Sequence, residues 1–105
     1  MESQYAKQRI IRDIKNDDVR IQITGYIKKI VDDKHIVLDD KTGIIKTNIE
    51  DVEYNFKEND LINVIGNLII ITSGEKVLKA DIIQDMNKLN FDYYQKLYEM
   101  KKDLE

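Results

Sequence analysis

Apolar and polar positions alternate along most of this chain, and the period changes only near its end. In "VRIQITGYIKK", residues 19–29, Val19, Ile21, Ile23, Gly25 and Ile27 share one face, while Arg20, Gln22, Thr24, Tyr26 and Lys28 share the other. A period of two predicts a half-buried strand, and Gly25 inside it predicts a bend or bulge. "VDDK" turns the chain and "HIVLDD" is a second strand. "KTG" is a tight turn with Gly43 free to take positive φ, and "IIKTNI" is a third strand. Residues 50–60 lose the alternation, and Val52 and Phe56, four apart, predict a helical turn. "LINVIGNLIII" is a long fourth strand with Ile62, Val64, Gly66, Leu68 and Ile70 inward. "TSGE" closes a hairpin onto a fifth strand, "KVLKADII", with Leu78, Ala80 and Ile82 inward. Upstream, Ile10 and Ile14 in the polar leader are spaced to make a short turn against the domain.

Five short strands, a break between the third and fourth, and glycines in the first and fourth predict a small closed barrel. The predicted class is all-β: a five-stranded OB-fold barrel with a short N-terminal leader and a C-terminal α-helix. An SH3-like barrel is the structural rival, whereas a jelly roll needs more strands. The expected divisions are a leader at 1–18, the barrel at 19–86 and a C-terminal oligomerisation helix at 87–105.

Composition narrows the possibilities. A chain of 105 residues suits one domain with a single core. Its 42% hydrophobic and 35% charged residues are those of an ordinary globular protein. The sequence has no cysteine, which excludes disulfides, thiolate ligands and a cysteine nucleophile, and suits a reducing interior. No apolar run approaches membrane-spanning length and the start lacks a signal-peptide stretch, so a cytoplasmic (or nucleoid-associated) protein without membrane contact is expected. The net charge of −3 gives no global attraction to nucleic acid. Binding would need a local basic patch or another subunit. Absent proline and abundant isoleucine point to a thermophilic, archaeal source, though AT-rich coding bias gives the same pattern.

Particular phrases then carry a resemblance. "ITGYIKKI", "IVLDDKTGII", "DLINVIGNL" and "ADIIQDMNKL" before a final helix resemble the OB domain of the middle subunit of replication protein A. Related OB subunits of telomere-capping complexes and archaeal single-strand-binding proteins look similar. The overlap spans about residues 19–104, and "DMNKL" leading into a helix is its sharpest part. The resemblance implies single-stranded DNA binding by a hetero-oligomer of OB-fold subunits, with the C-terminal helix packing on partner helices. The family's stacking rings lie near the ends of the third and fourth strands. Here Asp51 and Ile71 occupy about those places, and losing two stacking platforms, each worth about 1–3 kcal/mol per base, implies weak binding by the chain alone.

The final helix, "NFDYYQKLYEM", holds four of the eight aromatic residues. At helical spacing Leu89, Tyr93, Leu97, Met100 and Leu104 fall within about 40° of one line, and Phe91, Tyr94 and Tyr98 form a second line about 100–160° round. A single core contact needs a stripe about 100° wide. Either one stripe packs on the barrel with the tyrosines merely shielding it, or one meets the barrel and the other meets a partner helix. The breadth favours a partner, and the interface is assigned to Phe91, Tyr94, Leu97, Tyr98 and Leu104.

Candidate nucleic-acid contacts follow the usual path across an OB-fold, over the second and third strands between two loops. Lys34, Lys46 and Lys76 would flank that path, with Asn48 and Asn67 as polar contacts, Lys28 as a further cation and Tyr26 as the remaining ring for stacking. A solvated lysine-rich surface explains the lysines equally well, since Asp32, Asp33, Asp51 and Glu75 lie nearby. Tyr26 also reads as a cross-strand packing residue. His35 stands alone, a poor metal candidate. Asp39 and Asp40 read as turn carboxylates that bind their own backbone. Ser3 and Ser73 lack a base, and no phosphate loop is present, so neither an enzyme nor a cofactor is expected. Three functions remain open: a subunit of a replication-protein-A-like assembly, a purely structural accessory subunit of a polymerase or replication complex, and a stand-alone single-strand binder.

Overall fold

The computed structural model describes residues 6–53 and 55–104. Strands run β1 (Lys7–Gln8), β2 (Arg20–Ile30), β3 (His35–Asp39), β4 (Ile44–Asn48), β5 (Leu61–Ile70) and β6 (Lys76–Asp85), followed by helix α1 (Phe91–Asp103). The sheet order is β1-β2-β3-β4-β6-β5, and β2 also pairs with β5. That pairing closes β2 through β6 into a five-stranded OB barrel. Only the short β1–β2 and β4–β6 pairs are parallel.

The period-two reading survives where side chains meet the core. Ile21, Ile23 and Ile27 of β2, Ile36 and Leu38 of β3, Ile62 and Val64 of β5, and Leu78 and Ala80 of β6 are all buried together. Burying each aliphatic side chain contributes roughly 1.5–3 kcal/mol. Val19 and Ile70, expected inward, are exposed at strand ends. Ile82 is exposed for a different reason. The β5–β6 register passes from Ile65↔Ile82 to Gly66↔Ala80, so Asp81 is an extra residue that reverses the alternation beyond it. Ile83, not Ile82, then packs on the core. Gly66 permits this crossing, because a Cβ there would lie 2.1 Å from the Lys79 carbonyl oxygen. A second irregularity falls between Ile27 and Lys29 in the β2–β3 pair, rather than at Gly25. Gly25 instead allows close approach, with the Asp39 carbonyl oxygen 3.0 Å from where its Cβ would stand.

The turns differ in detail from expectation. In "KTG" the left-handed residue is Lys41, at φ 73°, not Gly43. Asp39 stabilises it by accepting from the Lys41 N–H at 2.8 Å. Gly43 gives room to the leader, since its Cβ would sit 3.1 Å from a methyl of Ile11. In the β5–β6 hairpin Gly74 does take positive φ, at 92°. Residues 50–60 contain no helix among the described positions. Turns at Ile49–Val52 and Lys57–Asp60 carry the chain, and Val52 and Phe56 rest against the core.

Residues 6–18 of the leader are part of the fold. β1 extends the sheet beside β2, and a single 3₁₀ turn spans Ile11–Asp13. Ile10 is buried, while Ile11 and Ile14 cover the core. The buried Asp40 carboxylate pins this segment to the β3–β4 turn, accepting from the Ile11 N–H at 2.7 Å and from the Thr42 N–H and hydroxyl. Arg9 and Asp18 form a two-bond fork at 3.0 Å. Burial alone would raise the Asp18 pKa, but bonds from Arg9 and the Lys15 N–H outweigh it and hold the carboxyl below its usual range. No helix among the described residues is long and apolar enough to cross a membrane.

Candidate nucleic-acid interface and the two faces of the helix

Strand register aligns the outward side chains of the barrel in rows. One row reads His35, Asn48, Lys79, Asn67, Arg20 across β3, β4, β6, β5 and β2. The next reads Val37, Lys46, Val77, Ile69. Asn48 and Asn67 are thus brought into line, with Lys79 between them. Lys79 is the cation that the sequence reading left out of its site; its outward position was legible from inward Leu78 and Ala80. The register that sets it between two asparagines was not.

The charges on this face are largely answered from within. Arg20 forks onto Asp81 at 2.8 and 3.1 Å and also donates to Asn67. Lys79 lies 3.4 Å from Asp51, Lys34 is 3.8 Å from Glu50, and His35 is 3.2 Å from Asp32. The Asn48 amide oxygen accepts from the Glu50 N–H. Exposed pairs of this kind are worth only about 0–1 kcal/mol each, so phosphate can displace them. Lys28, Lys46 and Lys76 have no ion pair among the described residues. Lys28 lies at the β2 irregularity; Lys46 stands in the second row and Lys76 one position beyond it, opposite Ile70. No Phe, Tyr or Trp lies on either row, and the one ring there is the His35 imidazole, held by Asp32. Asp51 is engaged by Lys79, and Ile71, exposed beyond β5, closes the hairpin through its N–H.

Tyr26 packs within its own chain. Its ring meets Phe91 of α1 edge-on at 5.2 Å, with the Lys41 ammonium 5.7 Å from its centroid. Chemistry of other kinds finds little material: no group of three or more His, Cys, Asp or Glu among the described residues is placed to hold a metal ion.

The helix begins where Asn90 caps it, accepting from the Tyr93 N–H. Its docked face is the aromatic line. Phe91 and Tyr98 are 4% and 7% exposed, against 60%, 37%, 62% and 87% for Tyr93, Leu97, Met100 and Leu104. This corrects the interface assignment: Phe91, Tyr94 and Tyr98 turn inward, and only Leu97 and Leu104 of the expected set face outward. The cause is polar as much as apolar. Tyr94 stacks on Phe91 at 6.3 Å, and its hydroxyl accepts from Gln8 at 2.8 Å. Gln95 donates to the Asp40 carbonyl. Tyr98 donates to Asp13, which Lys102 also reaches at 2.9 Å, and Arg12 bonds Glu99 at 2.8 Å. A tyrosine-rich stripe suits a bed of leader and turn groups that offers both apolar contact and hydrogen-bond partners. On the other stripe Tyr93, Met100 and Leu104 are left mostly exposed by the described residues, and Leu97 partly so.

No family model matches the sequence, and no curated protein does. Solved structures do. Telomere capping protein Ten1 from Saccharomyces pombe superposes with TM-score 0.75 at 14% identity, covering 94% of this chain and 99% of that one. A chain of the S. pombe Stn1–Ten1 complex gives 0.76 at 14%, covering 98% and 97%. The hypothetical protein ygiW from E. coli gives 0.62 at 14%, covering 81% of this chain and all of its own. At such identity the likeness is one of fold: a small OB barrel of the same extent.

Proposed function

We propose that this chain is the small OB-fold subunit of a hetero-oligomeric assembly that acts on single-stranded nucleic acid, of the replication-protein-A or telomere-capping kind. It joins its partner through the outer stripe of α1. The observation that carries this reading is that stripe: Tyr93, Leu97, Met100 and Leu104 stand exposed in line on a helix already held by its opposite face. Apolar and aromatic side chains arrayed this way fit a partner helix. The structural relatives supply consistent support, since one of them is a complex of two proteins, Stn1 with Ten1.

The barrel itself contributes little to strand binding in this reading. Arg20, Lys34 and Lys79 are already paired and its outward rows carry no Phe, Tyr or Trp, so its contacts are weak and sequence-tolerant. The role is binding, not catalysis. A second reading, a purely structural subunit whose barrel meets only protein, is favoured by the same internal pairing of Arg20, Lys34 and Lys79.

Purification of the tagged chain from its own cells, followed by native mass spectrometry and salt titration against a fluorescent single-stranded oligonucleotide, tests the proposal. A hetero-complex that binds the oligonucleotide with a steep salt dependence, while the isolated chain binds weakly, is expected. A chain recovered only as a monomer, or one that alone binds as tightly as any assembly, contradicts it. An assembly without affinity for the oligonucleotide supports the structural reading.

A further inference from the structure

The parallel pair β4–β6 is shorter than the strands that make it. Its register begins at Lys46↔Val77, although β4 starts two residues earlier, at Ile44. Continued backward, the ladder would join Ile45 to Lys76 and Ile44 to Glu75, and neither pair forms. The strands splay there, and a groove of about 430 Å³ opens, walled by these four residues with Ile11, Ile14 and Val37 adding apolar surface.

Three properties select an occupant. First, Ile44 and Ile45 pair with β3 on one side only, so no strand occupies their other edge. An unpaired edge is a template for an added strand. Second, Ile11, Ile14, Val37, Ile44 and Ile45 give the groove an aliphatic wall, and Ile44 is left 57% exposed. Alternate side chains of an added strand would meet this lining. Third, the rim is cationic. Arg12 is engaged by Glu99, but Lys46 and Lys76 have no ion pair among the described residues, and Glu75 is the single carboxylate of the lining. Acidic side chains at the intervening positions would answer them. A nucleic-acid strand fits less well, because no ring lines the groove on which a base could stack.

We propose that the β4–β6 groove docks an extended segment of a partner protein, alternating aliphatic and acidic residues, as an added strand on the Ile44–Ile45 edge. The site is separate from the outer stripe of α1 and does not depend on it.

The test titrates the isotope-labelled full chain with a soluble capped peptide alternating aspartate and isoleucine. Parallel titrations use its lysine–isoleucine counterpart, two versions N-methylated on one or the other alternate set of amides, and an oligothymidylate. The acidic peptide is expected to shift the amide resonances of Ile44, Ile45, Lys46, Glu75 and Lys76. Binding should fall about tenfold or more with the lysine peptide, with only one of the N-methylated versions, and with the variant Lys46→Glu/Lys76→Glu. No binding at millimolar peptide, equal binding of the lysine peptide, indifference to both methylation sets, or tighter binding of the oligothymidylate at those amides overturns the proposal. Loss of the α1 partner would leave these resonances unchanged, so the two readings fail separately.

Discussion

The Tyr98 hydroxyl donates a hydrogen bond to the Asp13 carboxylate at 3.1 Å, joining residues 85 positions apart. The bond ties the C-terminal helix to the N-terminal leader, and the leader in turn to the barrel through Asp40. Deleting the hydroxyl with Tyr98→Phe should cost about 1 kcal/mol, because Lys102 still satisfies Asp13. Deleting the ring with Tyr98→Ala should cost about 3–5 kcal/mol, the range for a buried aromatic. Urea denaturation measures both. A loss below about 1 kcal/mol for Tyr98→Ala would mean that the ring is not buried against the leader.

The same cluster makes docking depend on pH in a definite sense. The Asp13 carboxyl is held below its usual range, chiefly by the bond from Lys102. The Tyr98 hydroxyl is pushed up, first by burial and then by its bond to Asp13, and Lys102 is raised chiefly by Asp13. A depressed carboxyl contributes stability above the unfolded value, about pH 4, that is lost as pH falls through the folded one. Raised Tyr98 and Lys102 contribute stability below about pH 10 that is lost as pH rises through their folded values. Stability should therefore be flat through neutrality and fall at both ends. Asp13→Asn should lower the plateau and flatten both limbs when denaturation midpoints are measured across pH. An unchanged profile in that variant would contradict the role given to Asp13.

Thr47 offers a test inside the barrel. Its side chain is fully buried, and its hydroxyl has no hydrogen-bond partner among the described residues. An unanswered buried hydroxyl is unfavourable, so Thr47→Val, which keeps the shape, should stabilise the chain by about 1 kcal/mol in urea denaturation. Destabilisation would point to a partner for that hydroxyl.

How much of this was legible beforehand follows from the range of the interactions involved. Local alternation marked Ile21, Ile23, Ile27, Leu78 and Ala80 as core, because a strand's own sequence decides its two faces. It could not show the extra residue at Asp81, which arises from pairing with β5 and turns Ile82 outward. The side-chain role of Asp39 was readable, since its bond is two residues away; the pinning of Ile11 by Asp40 spans 29. The helix's two stripes were clear from spacing. Which of them docks was not, because Gln8, Asp13 and Tyr26, the groups that receive the tyrosine face, lie on distant elements. The packing partner of Tyr26 was hidden for the same reason: Phe91 is far along the chain.

The account also predicts how to strengthen nucleic-acid contact. Asp51 stands exposed just beyond β4, beside Lys79. Asp51→Phe would release that lysine and supply a ring where the resemblance implies a stacking platform. Affinity for a single-stranded oligonucleotide, read by fluorescence anisotropy, should rise by about 1–3 kcal/mol. No gain would mean that single strands do not cross this face.

The central claim is that α1 is held by its aromatic stripe and offers its aliphatic stripe to a partner. Co-purification from the native cells, read by intact-complex mass spectrometry, compares the wild-type chain with Leu97→Asp/Met100→Asp and with Lys96→Asp, a nearby exposed position off the stripe. The account predicts that the double variant is recovered folded but alone, while Lys96→Asp retains the partner. Recovery of the same complex from all three chains would contradict it.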